Sequence, residues 1–142
     1  MKKKLAYQII ADHSLIIESY NGKFNVDELI AFKEKVGEDK DYHPNFNIIH
    51  DFRDIEFQLE IKEIAKYVKL ISENEKYKGT RKSAMLTETP NQVTTAMGFD
   101  FLKKDLKIHV HVCSTIETVF TFIGLPKKDW ELIASHITSL KS

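Results

Sequence analysis

In the stretch NIIHDFRDIEF, residues 47 to 57, an apolar pair runs into Asp51, Arg53 and Asp54. Two carboxylates around one guanidinium can serve in two ways. At the carboxyl end of a parallel strand they occupy the place where open α/β sheets put ligands, so they could bind one. Alternatively, one carboxylate caps the loop and the other pairs with Arg53, as charges at a strand edge commonly do. With no serine, cysteine or metal-type cluster nearby in sequence to make the triplet catalytic, the second use fits the residues better.

A second set is His109, His111 and Cys113 in LKIHVHVCS. Side chains two apart on a strand share a face, so H-x-H-x-C offers three metal-type donors. Same-face neighbours stand roughly 6 to 7 Å apart, which suits two adjacent ligands, His109 and His111, but strains three around one small ion. Lys107 lies on the same face, and the pattern reads as a partly exposed polar sheet surface; no metal is expected. Cys113 ends a strand with no helix N-terminus clearly aimed at it, no G-x-S-x-G elbow occurs, and the glycines at 22, 37, 79, 98 and 124 are too scattered for a phosphate loop. No catalytic residue and no cofactor are therefore expected.

These side chains need elements to hold them. KLAYQIIA (4–11) and SLIIESY (14–20) are two β-type runs separated by Asp12 and His13, which predicts a hairpin. NVDELIAFKEKVG predicts a helix, with Asn25 as cap, Val26, Leu29, Ile30, Lys33 and Val36 on one stripe, and Gly37 as stop. FNIIHDF reads as a central strand ending near Asp51 or Phe52, with the charged triplet at its carboxyl end. From Leu59 to Glu73, Ile61, Ile64, Ala65, Val68 and Ile71 recur at helical spacing. KSAMLTE is a short strand. TPNQVTTAMGFDFLKKD is a helix entered at Thr-Pro, with Val93, Ala96, Met97 and Phe101 in register. After the H-x-H-x-C strand, Ser114 and Glu117 form a capping box for a helix ending at Gly124, and Pro126 opens a last helix with Trp130, Ile133, Ala134 and Ile137 inward. The order ββαβαβαβαα predicts a mixed sheet of about five strands, antiparallel at the N-terminal hairpin and parallel afterwards. Phe24, Phe32, Phe46, Phe52, Phe99, Phe101, Phe120 and Phe122 lie on or beside apolar stripes and read as core.

The 142 residues suit one domain, 1–142, able to bury about two-thirds of its unfolded surface without disulfides or metal. Lysine plus arginine and aspartate plus glutamate are both 21, so no global field draws in a phosphate backbone or an anionic bilayer; nucleic acid and membrane insertion are not expected. Gln8, Asp12 and His13 break the apolar run that a signal peptide would need, and a lone cysteine suits a reducing compartment, so the expected location is cytoplasmic.

The stretches SYNGKFNVDELIAF, YHPNFNIIHDFRD, SAMLTETPNQVTTAMGF and VHVCSTIETVFTFIG, in that order over residues 5 to 124, resemble the SpoIIAA-like family, small bacterial domains sharing the fold of the anti-sigma-factor antagonist (STAS) domains and of the lipid-binding Sec14 module. The segment 126–142 looks like a C-terminal helical extension. The resemblance implies a STAS-like α/β fold and little about activity. Phosphorylated STAS domains have an Asp-Ser pair at the start of the helix after the third strand; Leu59 and Glu60 stand there, so the phosphoacceptor is missing. Glu60 carries one charge against nearly two for a phosphoserine and is also an ordinary first-turn residue. The leading expectation is a non-enzymatic module acting through protein contacts, a homodimer among them, with Asp51, Arg53, Asp54 and Glu60 as the contact surface. The alternative is a small-molecule or lipid carrier, which needs a pocket on the order of 300 Å³ between sheet and helices.

Overall fold

The computed structural model describes residues 3–103 and 105–142. Its elements are β1 (Lys4–Ile10), β2 (Leu15–Phe24), α1 (Val26–Gly37), β3 (Asn47–Phe57), α2 (Ile61–Glu73), β4 (Arg81–Leu86), α3 (Pro90–Leu102), β5 (Ile108–Cys113), α4 (Ile116–Ile123) and α5 (Lys127–Lys141). The strands form one sheet in the order β1-β2-β3-β4-β5, with β1 antiparallel to β2 and every other pair parallel. The α/β class, the mixed sheet and the central third strand are as the sequence predicts. Single-turn 3-10 helices follow β1 (Ala11–His13) and α2 (Glu75–Tyr77).

Alternation along the strands builds two cores, one on each face of the sheet. Ile16, Tyr20, Ile48, Phe52 and Met85 face α1, α2 and α3, whose inward residues include Leu29, Phe32, Tyr67, Ala96 and Phe99. Leu15, Ile17, Ile49, Ala84, Leu86 and Cys113 face α4 and α5, where Val119, Phe120, Ile133 and Ile137 close the layer. The last helix thus packs directly on the sheet: Ile133 and Ile137 are fully buried.

Two strands run past their expected ends. β3 does not stop at Phe52 but continues to Phe57, paired to β2 as far as Phe24, so the charged triplet lies inside the strand. The pairing shifts from Ser19↔Asp51 to Asn21↔Asp54, which inserts one extra residue in β3, a β-bulge. β4 pairs only with residues 48–51 of β3, so the strand beyond has a free edge. The start of α3 covers that edge with amide side chains in place of a strand. Asn91 accepts from the Phe57 N–H (2.9 Å) and donates to its carbonyl (3.2 Å), and the Gln92 amide donates to the carbonyls of Ile55 (2.9 Å) and Arg53 (3.2 Å). Satisfying a buried edge this way is what lets the strand continue without a neighbour on that side.

Caps fall as expected at α1, where Asn25 accepts from Glu28 N–H (3.0 Å), and at α3, where Thr89 accepts from Gln92 N–H (3.3 Å) ahead of Pro90. At α4 the cap is Thr115, bonded by Thr118 N–H (3.2 Å), and not Ser114; the β-branched hydroxyl one residue on has the extended backbone a cap needs. On α2 and α3 the inward stripe is rotated from the expected one. Ile64, Tyr67 and Ile71 face the sheet while Ile61 is exposed, and Ala96 and Phe99 point in while Met97 and Phe101 point out. The two helices touch each other at Gly98, whose missing side chain lets Ile64 approach to 3.1 Å of where a Cβ would stand. That mutual packing turns both helices away from the orientation that spacing alone would set.

Candidate functional site

On the face covered by α1–α3, three adjacent strands each contribute polar residues among apolar ones. β2 presents Ile16, Glu18 and Tyr20; β3 presents Ile48, His50 and Phe52; β4 presents Arg81, Ser83 and Met85. Glu18 and His50 are register partners, so their side chains meet directly. The Glu18 carboxylate lies 2.8 Å from His50 Nδ1 and accepts the Tyr20 hydroxyl at 2.6 Å, at 2% exposure. Burial alone would raise its pKa, but the charge and hydrogen bond of His50, the charge of Lys33 and the Tyr20 hydroxyl together hold it down to about 2.

α1 adds Lys33 to this face at 7% exposure. No carboxylate comes within ion-pair distance of its ammonium and no hydrogen bond satisfies it among the described residues; it stands 5.2 Å from the centre of the Tyr77 ring. Burial, reinforced by the neighbouring Arg81 charge and opposed by Glu18, lowers its pKa to about 8. Arg81, 4% exposed, donates to the carbonyls of Pro44 (2.7 Å) and His43 (2.8 Å) and to the Tyr42 hydroxyl (3.1 Å), so it fastens the turn before β3 and, among the described residues, meets no carboxylate either.

Lys33, His50, Arg81 and Ser83 line a cavity of ≈ 80 Å³ between the sheet and α1, α2 and α3, which Glu18 borders only through His50 and Tyr20. Most of the rest of its wall is apolar, with Leu29, Ile48, Phe57, Ile64, Ile71 and Phe99 among its members. Tyr20 and Tyr67 also border it, and burial, then the charge of Glu18, keeps both phenols neutral far above their ordinary range, as hydrogen-bond donors. A larger space, ≈ 500 Å³, lies along the turns before β4 and β5, but its charged residues, Lys78, Asp105 and Lys107, are all exposed.

The charged triplet of β3 faces the other way. Asp51, 1% exposed, accepts from Arg53 Nε and Nη2 at 2.9 Å each and from the Arg53 backbone N–H at 3.2 Å, which occupies the donor that the bulge takes out of the ladder. Lys141, at the end of α5, lies 2.9 Å from Asp54 and 3.6 Å from Asp51, so the network ties the last helix to the central strand. Burial opposes the charged form of Asp51, but the Arg53 hydrogen bonds and charge, with Lys141, prevail and the carboxyl pKa is lowered. Glu60 stands apart at the start of α2, exposed and 3.5 Å from Lys62, with its own N–H taken by Glu63 (2.9 Å). His109 and His111 are exposed on the edge strand β5, with His111 stacked on Phe122 at 5.1 Å. Burial pushes the Cys113 thiol up to about 11. Among the described residues no three histidine, cysteine or acidic side chains converge as a metal would require.

Glu18, Lys33, His50 and Arg81 are not among the candidates that the sequence suggests. A signal existed. Lys33 falls on the inward stripe of α1, and Glu18 interrupts an otherwise apolar run, each a charge where the pattern demands a hydrophobe.

A five-stranded sheet, antiparallel at its first pair and parallel after, layered by three helices on one face and two on the other, is the architecture of the SpoIIAA-like fold. The chain is similar to the crystal structure of an uncharacterized protein from the DUF3478 family with a SpoIIAA-like fold, from Shewanella loihica PV-4. The TM-score is 0.56 at 9% identity, over 87% of this chain and 96% of that one. At that identity the likeness fixes the fold and carries no site or activity. No family model and no curated protein matches the chain. No helix among the described residues is long and apolar enough to cross a membrane.

Proposed function

We propose that this protein is a non-enzymatic ligand-binding domain whose cavity beneath α1, α2 and α3 receives a small molecule. The observation that carries this reading is the set of ionisable groups buried against the cavity. Taking a charge out of water costs several kcal/mol unless partners offset it, and apolar residues of the same size would hold these layers together better. Groups of this kind in an apolar pocket are retained where a ligand needs them. The volume narrows the choice. The cavity falls short of the roughly 300 Å³ expected of a small-molecule or lipid carrier, and its ≈ 80 Å³ holds only roughly six water-sized groups. A compact metabolite fits and an acyl chain does not. Thermal-shift screening of molecules of up to about ten heavy atoms tests the reading. Hits should disappear in Ala96→Leu, which fills the cavity, or in Thr95→Leu if the first variant misfolds. Hits that bind the filled variants equally well would overturn it.

A second reading, protein contact, is favoured by one observation. Ile61 and Met97 are 62% and 59% exposed, and Ile61 lies over Gly98 beside Met97, with Phe101 one turn further along α3 at 68%. Light scattering of the wild type beside an Ile61→Ser, Met97→Ser variant tests it, because a dimer built on this surface would become a monomer.

A further inference from the structure

The cavity's charges do not balance. Among the described residues Lys33 and Arg81 are the two fixed cations near it, His50 adds a third when protonated, and Glu18, the one carboxylate of the cluster, already holds its two closest partners in His50 and Tyr20. The Arg81 hydrogen bonds run from Nε and Nη2 to the 42–44 turn, away from any anion. The Lys33 residue is nine-tenths buried and lines the cavity, and its ammonium has an aromatic face 5.2 Å away and no hydrogen-bond acceptor among the described residues. An ammonium has three donors to satisfy, and the ring quadrupole satisfies none of them as a hydrogen bond.

We infer that the cavity takes a compact organic monoanion, a carboxylate on an aromatic or branched aliphatic body, with the carboxylate seated on Lys33 and the body against Phe57, Ile64 and Phe99. This rests on the reading of the cavity as a ligand site and adds the ligand's charge and class. One unpaired ammonium, with Arg81 held to the 42–44 turn through Nε and Nη2 and supplying field, matches a single negative charge. A phosphate would bring nearly two charges and no apolar body to set against Leu29, Ile48, Phe57, Ile64 and Phe99 on the wall. The hydroxyls of Tyr67, Ser83 and Thr95 border the same space and can donate to the second carboxylate oxygen.

Calorimetric titration with benzoate, cyclohexanecarboxylate and isovalerate, beside benzamide, inorganic phosphate and laurate, tests the inference on the full chain. At least one small carboxylate should bind saturably, benzamide and phosphate at least tenfold more weakly, and laurate no better than its shorter relatives. Lys33→Met should lose about tenfold or more in affinity for the carboxylate, the loss expected when a charged hydrogen bond goes, and little for benzamide. That variant keeps the length and shape of the side chain, so circular dichroism should show it folded. Benzamide binding as tightly as benzoate, with both blocked in Ala96→Leu, would sink the anion assignment while leaving the ligand site standing. The anion assignment falls likewise, and the ligand site stands, if Lys33→Met binds the carboxylate unchanged. If none of the small molecules, charged or neutral, binds, both readings fall.

Discussion

Replacing Lys33 by methionine should make the protein more stable, and by an amount that depends on pH. Burial and Arg81 take the Lys33 pKa from its ordinary 10.5 to about 8, with Glu18 opposing. A shift of that size means that the charged form is disfavoured in the folded state by about 3 kcal/mol, at 1.36 kcal/mol per pH unit. Methionine removes the charge and keeps an unbranched chain of similar length in the same space. The contact with the Tyr77 ring, 5.2 Å away, is lost, which returns about 1 kcal/mol. The net gain at pH 7 is about 2 kcal/mol, roughly 6 °C in melting temperature for a chain of this size. The sign with pH follows from the lowered pKa. Between pH 8 and 10.5 the unfolded state binds more protons than the folded one, so wild-type stability from this residue rises across that window and the advantage of the variant shrinks toward zero. The difference between the two proteins must be followed, because Cys113 and the buried tyrosines, whose pKa values are raised, titrate with the opposite sign above about pH 9. Urea unfolding followed by circular dichroism at pH 7, 8, 9 and 10 gives that difference directly. A variant less stable than wild type at pH 7, or a difference that stays constant to pH 10, would refute the reasoning.

Other consequences are as specific. Asp51→Ala should cost about 2 to 3 kcal/mol in urea unfolding, less than a fully buried pair would, because Arg53 can reach water while Lys141 also loses a partner; a loss under about 0.5 kcal/mol would show that the network does not hold α5. Glu18, lowered from 4.5 to about 2, contributes stability that is complete above pH 4.5 and lost as pH falls toward 2. Glu18→Gln should therefore flatten the acid arm of the stability profile, and an unchanged arm would contradict the pairing with His50. Gly98→Val should weaken the α2–α3 contact through Ile64, lowering the melting temperature, whereas Gly124→Ala meets no neighbour and acts only through its positive φ. Chelator should leave the melting temperature unchanged, since a structural metal at His109 and His111 would add several kcal/mol by linkage.

The layers were legible in the sequence because each element carries its period. β3 read as a buried run and β4 as a short strand, α5 showed Ile133 and Ile137 four apart, and Asn25 and Thr89 announced their helices. What escaped was set by contacts between elements distant in the chain. Nothing local in DIEF says strand, because the reason it continues is the pair of amides Asn91 and Gln92, supplied 34 to 39 positions later. The rotation of α2 and α3 depends on Gly98 and Ile64 meeting, which neither helix's pattern contains. At the site the polar types drew attention to Asp51 and Arg53, which stand together in sequence, whereas Glu18, Lys33, His50 and Arg81 come from four elements and gather only when the sheet and α1 pack. A single charge on an apolar stripe was the visible trace, and it reads as tolerance until its neighbours are known.

The most direct test of the ligand site is a methyl nuclear magnetic resonance titration of the protein with the small carboxylates, observing the isoleucine and methionine methyl groups. Binding in the cavity predicts saturable shifts at Ile48, Ile64, Ile71 and Met85, which line it, with Ile133 and Ile137 on the opposite face unmoved. Shifts confined to exposed Ile61 and Met97, or spread evenly over both faces of the sheet, would contradict it.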